Sequence, residues 1–238
     1  APGTLAPASI TGDEAHLFLL AGAAAVGIGA NRFETGTLLC RQFDPRVVLL
    51  DDGFQHHRLA RNVDIVLVDG LDAFPFARLR EPESALSRAS VIVITRSDHP
   101  RPGLEARIRR SNSAAPIFYA RVEPQGWVEG AAGREVGLDE LPHRVTAFCG
   151  LANPDSFWRS LAALRIRPVA RLRFPDHSRY HARDLAPLFE RADAVLTTEK
   201  DWVNIDSPAP RGIYYLKIRV VLDRESEFFA ELNRRLDL

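Results

Sequence analysis

Short, strongly apolar runs rich in β-branched residues recur along the chain: Ala24 to Ile28, Val47 to Leu50, Ile65 to Val68, Val91 to Ile94, Ile117 to Ala120, Val145 to Phe148, Val195 to Thr198 and Ile213 to Leu216. Most read as strands covered on both faces, as in parallel sheets. Segments of helical period lie between several of them: Glu14 to Leu20, Phe33 to Gln42, Leu104 to Arg110, Pro154 to Leu164, Ala182 to Arg191 and Glu225 to Leu236. This alternation points to an α/β sheet with helices on its faces. Asn153-Pro154-Asp155 is a helix start, a capping residue followed by proline at the first helical position.

Residues 123–144 interrupt the pattern with Gly, Pro and charge and read as a linker or hairpin between a part spanning 1–122 and an α/β part spanning 145–238. The chain has 238 residues, 46% apolar and 26% charged, with 31 basic and 31 acidic side chains. Those values describe an ordinary globular protein, and the zero net charge gives no global attraction to nucleic acid or to an anionic membrane. Cys40 and Cys149 form neither a C-x-x-C pair nor a disulfide framework, which fits a reducing compartment. The longest apolar run, Leu17 to Ala30, carries three glycines and falls short of the roughly 18 residues of a membrane span. Two of the 31 basic residues are lysines, Lys200 and Lys217, and the other 29 are arginines, a skew that reads as codon bias. Methionine is absent and residue 1 is alanine, so the sequence reads as lacking its true N-terminus.

The densest polar signal follows one apolar run. Val47-Val48-Leu49-Leu50 leads into Asp51-Asp52-Gly53-Phe54-Gln55-His56-His57-Arg58. Four apolar residues ending in Asp form a Walker B pattern, in which a strand delivers a carboxylate able to hold Mg²⁺ beside a nucleotide's phosphates. Ile65-Val66-Leu67-Val68-Asp69 has the same form and reads as a simple strand end. Two acids, a glutamine, two histidines and an arginine within eight residues are costly at a sheet edge unless ligands use them. Ile94 to Asp98 and Thr197 to Asp201 also place Thr and Asp just past a strand, where α/β ligand sites gather; polar helix caps explain them equally well.

The run DDGFQHHRLARNVDIVLVDG resembles the signature of the tetraacyldisaccharide 4'-kinase family, lipid A pathway enzymes that use ATP to phosphorylate a membrane-embedded acylated disaccharide. Six further segments resemble that family in order: Gly12-Asp13-Glu14, Asn31-Arg32, Leu79-Arg80-Glu81-Pro82, Phe148 to Pro154, Phe174-Pro175-Asp176-His177 and Thr198-Glu199-Lys200-Asp201. The resemblance covers nearly the whole chain. It implies a P-loop NTPase-like, mostly parallel sheet with helices on both faces and a smaller C-terminal α/β lobe, and the cofactors ATP and Mg²⁺. It also implies an acylated disaccharide 1-phosphate as acceptor and a peripheral place on the cytoplasmic side of the inner membrane, with no nucleic acid as partner.

By that resemblance Asp13 is the candidate base and His177 its orienting partner; from the residues alone Asp13 equally caps the helix at Glu14. Asp51 and Asp52 are the candidate Mg²⁺ residues, and Gln55 and His56 are expected near the phosphates or the acceptor. Arg80 is the candidate for neutralising transition-state charge, since a guanidinium fork matches phosphoryl oxygens. Glu81 would orient it or bind substrate, or instead form a surface ion pair, and Arg32 is expected to contact substrate. His57 is read as incidental.

One family element has no counterpart: no G-x-x-x-x-G-K-[ST] sequence occurs, and neither lysine lies in a Gly-rich turn. The expectation is that this βα unit lies upstream of Ala1, and that residues 1–238 alone do not phosphorylate the disaccharide. Two other readings compete. A non-catalytic α/β ligand-binding module would have kept only the sugar or lipid site, and a metal-dependent hydrolase would use Asp51, Asp52, His56 and His177. Zinc is improbable, because no H-x-x-x-H or similar ligand spacing occurs.

Overall fold

The computed structural model describes residues 6–71, 80–97 and 99–238. Leu79 of the LREP-like element and Asp98 lie outside them. The chain forms two compact units, each discontinuous in sequence: 1–48 with 124–218, and 49–123 with 219–238. This division cuts across the expected parts 1–122 and 145–238. The N-terminal helices belong with residues 124–218 because side chains on α2 (Asp13–Ala21) bond to groups more than 160 residues away.

The larger unit is built on β5 (Val145–Cys149), β6 (Arg171–Arg173), β7 (Ala194–Thr198) and the first part of β8 (Ile213–Leu222). These strands run parallel, in the order β8-β7-β5-β6. Every residue of β5 is buried, as a largely apolar run predicts for a strand covered on both faces, and the hydroxyl of its one polar residue, Thr146, donates to the Leu188 carbonyl. Val145, Ala147 and Cys149 face a core with Phe157, Trp158 and Leu161 of α5 (Pro154–Ala163), while Phe148 faces Leu185 and Leu188 of α6 (Ala182–Phe189). Residues 123–144 contain a hairpin: the end of β3 (Ile117–Glu129) pairs antiparallel with β4 (Arg134–Val136) through a turn at Gly133, whose φ is +65°.

The smaller unit carries β1 (Ile65–Asp69), β2 (Val91–Thr95) and the start of β3, all parallel. Four consecutive buried apolar residues make β2 its centre. Ile92 and Ile94 pack with Ile108 of α4 (Pro102–Ser111); Val91 and Val93 pack with Phe228 of α8 (Glu225–Leu236). At the end of β1, Asp69 is paired with Arg96 and accepts the Leu71 N–H, the strand end read from its sequence.

Two expected strands do not form. Residues 24–28 and 47–50 carry no ladder, and Ile28, Val48 and Leu49 are exposed, Leu49 at 88%. Hydrophobicity supplies a surface to bury but not the neighbouring backbone a strand must pair with. Asp51 and Asp52 therefore stand in a turn rather than at a strand's edge, with Asp52 in the left-handed region at φ +52°.

Candidate active site

In the larger unit, three distant segments meet at Asp13. Gly12, at φ +81°, opens α2, and Asp13 is its first residue, with Oδ1 accepting the Glu14 N–H at 3.0 Å. His177 follows β6 in a turn and has φ +58°. Its Nδ1 lies 2.9 Å from Asp13 Oδ2. Asn204 Nδ2 donates to the same oxygen at 3.4 Å, and Lys200 Nζ of α7 (Glu199–Trp202) stands 3.6 Å from it. The Asp13 side chain is 9% exposed and that of His177 60%. The carboxylate is thus enclosed and the imidazole faces outward.

Burial pushes the Asp13 carboxyl up, but the Lys200 ammonium, the His177 hydrogen bond and the Glu14 N–H together hold it below the usual carboxylate range. Lys200 is also surrounded: its Nζ lies 3.1 Å from Asp176 Oδ1 and 3.7 Å from Glu14 Oε1. Burial pulls its pKa down, the carboxylates of Asp176, Asp13 and Glu14 pull it up, and the net direction is up.

Beneath this group lies a second carboxylate. Asp201 is 2% exposed and accepts from the Gly150 N–H at 2.9 Å, the Tyr180 hydroxyl at 2.6 Å and the Thr198 hydroxyl at 2.6 Å. One side chain thereby ties the ends of β5 and β7 to the segment after His177. Tyr180 is itself held by edge-on contacts with Phe148 and Phe174. Burial raises the pKa of Asp201, partly offset by its hydrogen bonds, and burial beside Asp201 raises that of Tyr180.

Of the other predicted residues, Asp51, Asp52, Gln55, His56, Arg80 and Glu81 lie in the smaller unit around the short 3₁₀ segment Gly53–Gln55, and Arg32 lies in the larger. Arg80 donates to Asp52 Oδ2 at 2.7 Å, with both side chains 69% exposed. Gln55 Nε2 donates to Glu81 Oε1 at 3.0 Å, and Arg88 contacts both Glu81 oxygens at 2.9 Å. Hydrogen bonds from Arg88 and then Gln55 hold the Glu81 carboxyl below its usual range. Arg88 also stacks over Phe54 at 4.3 Å. The His56 side chain is exposed, and its carbonyl accepts from Arg61 at 2.6 Å. Arg32 opens α3 (Arg32–Phe43), behind an Asn31 cap, and donates to the Gly29 carbonyl.

Magnesium is matched by the donor chemistry of one pair. It binds through one or two carboxylates together with phosphate oxygens and water, and consecutive, exposed Asp51 and Asp52 offer such carboxylates. An all-protein cage is a different matter: among the described residues no three His, Cys, Asp or Glu side chains form one.

Sequence reasoning missed Lys200, Asn204 and Asp176 around Asp13, Arg88 beside Glu81, and the Asp201 tie. Lys200 had a signal, being one of two lysines among 29 arginines. Asp176 lies inside a family-like segment, and Asp201 is one of the acids just past a strand, a position that ligand sites and polar caps share.

The fold and these two polar groups define a P-loop NTPase-like α/β protein. The profile of the tetraacyldisaccharide-1-P 4'-kinase family matches residues 2–237, and the chain belongs to that family. A tetraacyldisaccharide 4'-kinase of Syntrophobacter fumaroxidans is 39% identical over 223 residues, which span 88% of this chain and 57% of the relative. One from Koribacter versatilis is 39% identical over 209 residues, covering 82% and 59%. One from Anaeromyxobacter dehalogenans strain 2CP-C is 35% identical over 254 residues, covering 99% and 65%. The crystal structure of LpxK from Aquifex aeolicus, described as an "apo" form in complex with ATP, superimposes with a TM-score of 0.71 at 26% identity, over 97% of this chain and 71% of that one. The chain thus spans less than two thirds of the length of these curated relatives. Among the described residues no helix is long and apolar enough to cross a membrane.

Proposed function

We propose that this chain forms the acceptor-handling and charge-neutralising part of an enzyme that transfers the γ-phosphoryl group of ATP to the 4'-hydroxyl of tetraacyldisaccharide 1-phosphate. The observation that carries the reading is the 2.9 Å contact between His177 Nδ1 and Asp13 Oδ2, between two residues of separate family-like segments. Family membership and the ATP named for the Aquifex structure support the donor.

The chemistry follows from exposure and hydrogen bonding. Asp13 is enclosed, and its oxygens already accept from Glu14, His177 and Asn204, so it has little capacity left for a substrate hydroxyl. It holds the imidazole with Nδ1–H toward the carboxylate, leaving Nε2 of the exposed ring to take the hydroxyl's proton. The carboxylate then stabilises the imidazolium that forms, the division of labour that Asp and His adopt in hydrolytic triads. This exchanges the two roles expected from the sequence. Asp51 and Asp52 would hold Mg²⁺, which when bound supplies charge neutralisation at phosphate oxygens. Arg80 supplies positive charge toward the transferring group, with Asp52 fixing the guanidinium. Glu81 and Gln55 brace each other, His56 serves near the phosphates or the acceptor, and Arg32 contacts substrate. Such an acceptor is amphipathic, which supports a peripheral position at the cytoplasmic face of the inner membrane for the enzyme.

The test is transfer of label from γ-labelled ATP to the disaccharide 1-phosphate by the gene product that carries this chain. Labelled lipid from the unaltered protein, and its loss in His177→Ala with ATP binding retained, is expected. Undiminished labelling in His177→Ala would refute the assignment.

A further inference from the structure

The proposed pair sits in a surplus of negative charge. Asp13 and Glu14 come from the first turn of α2, and Asp176 from the turn that carries His177. All three place a carboxylate oxygen within 3.7 Å of one ammonium, that of Lys200. The Lys200 side chain is 20% exposed, so the screening that makes surface ion pairs nearly worthless is reduced here. Asp201, one residue along α7, is buried and adds a fourth acidic group nearby. The other close groups are His177 and the neutral amide of Asn204, whose Nδ2 donates to both Asp13 and the Lys200 carbonyl.

The residue type fits the task. An ammonium carries three N–H bonds pointing in different directions from one compact head, whereas the five N–H bonds of a guanidinium lie in one plane. Three carboxylates from two segments are within reach of the one Lys200 ammonium. In a chain that otherwise uses arginine at 29 of 31 basic positions, a lysine stands at this point.

We propose that Lys200 is a positioning residue for the Asp13–His177 pair, acting as the one cation shared by Asp13, Glu14 and Asp176 that keeps Asp13 ionised and aimed at the imidazole. The inference rests on the function proposed above. Without the ammonium, the carboxylates repel one another and the group recruits a proton, either onto Asp13 or onto the ring that should accept one from substrate. Raising the pH removes that proton again. The defect is thus greatest in acid and fades in alkali.

The experiment measures kcat/KM against pH for the full gene product and for Lys200→Met, Lys200→Arg and Lys200→Met/Asp176→Asn, alongside a carbon-detected NMR titration of the Asp13 carboxyl. In Lys200→Met the acid limb of the profile and the Asp13 midpoint both move to higher pH, and kcat/KM falls about tenfold or more at the acid end while approaching the unaltered value at the alkaline end. Lys200→Arg keeps the limb in place. Removing one carboxylate together with the cation, in the double variant, moves the limb back part of the way. Should Lys200→Met fail to fold, the arginine variant decides, since a limb displaced despite the retained charge contradicts the proposal. A loss equal at every pH, with the Asp13 midpoint unmoved, would show Lys200 to be structural only. Normal turnover by Asp13→Asn would instead overturn the Asp13–His177 reading itself, so the two failures are distinguishable.

Discussion

His177 Nδ1 and Asp13 Oδ2 lie 2.9 Å apart although 164 residues separate them in the chain. The contact joins the first turn of α2 to the turn after β6, so the enclosed carboxylate is a structural tie and, in the function proposed, a chemical partner. Each role has a consequence.

The structural role appears in acid. The Asp13 carboxyl is held below its ordinary 3.8, so the folded state binds its proton less readily than the unfolded chain. Its contribution is complete above the unfolded value and is lost as pH falls through the lower, folded one. Urea unfolding midpoints followed from pH 6 down to pH 2.5 should therefore drop more steeply in the unaltered protein than in Asp13→Asn, the two curves converging in acid. Parallel curves would mean that the ion pairs around Asp13 do not stabilise the fold.

The tie beneath the site tests the same architecture sterically. A Cβ on Gly150 would meet the Tyr180 hydroxyl and approach the Pro175 carbonyl to 2.8 Å. Backbone on one side and a fully buried ring on the other leave no room to yield. Gly150→Ala should cost about 2–4 kcal/mol by chemical denaturation. It should also lower turnover, since Tyr180 and Asp201 share the segments that carry His177 and Lys200. A change under about 0.5 kcal/mol would show this corner to be loosely packed.

Much of the architecture was legible because it rests on local pattern. The helix from Glu225 to Leu236 has the bounds its period indicates, and β5 is buried throughout, as its largely apolar run predicts. Val47 to Leu50 is apolar throughout and forms no strand, since a run of apolar residues cannot declare whether a partner strand lies beside it. The site divides in the same way. Arg80 and Glu81 were found as neighbours in sequence, but the meeting of Asp13 with His177 depends on how α2 packs against residues 176–204, which no spacing encodes. Arg88 remained hidden among 29 arginines; its partner Glu81 identifies it only in three dimensions.

The two cysteines separate by burial. Cys149 is fully buried on β5, and burial beside Asp201 pushes its thiol up to about 12, so no thiolate is available at neutral pH. Cys40 is exposed on α3. Brief alkylation of the native protein with iodoacetamide, mapped by peptide mass spectrometry, should modify Cys40 and spare Cys149, with both modified in urea. Early modification of Cys149 would show that the core between β5 and α5 opens readily.

The central claim is that Asp13 and His177 act as one unit, and a double-mutant cycle tests it most directly. Asp13→Asn, His177→Ala and the double variant are compared by kcat for label transfer from ATP to the disaccharide 1-phosphate, with ATP affinity measured in each. Each single change should lower kcat by about 10²–10⁴-fold with ATP affinity little altered, and the double variant should be no worse than the poorer single one. Losses that multiply in the double variant, or an Asp13→Asn protein with near-normal turnover, would contradict the account and return Asp13 to capping α2.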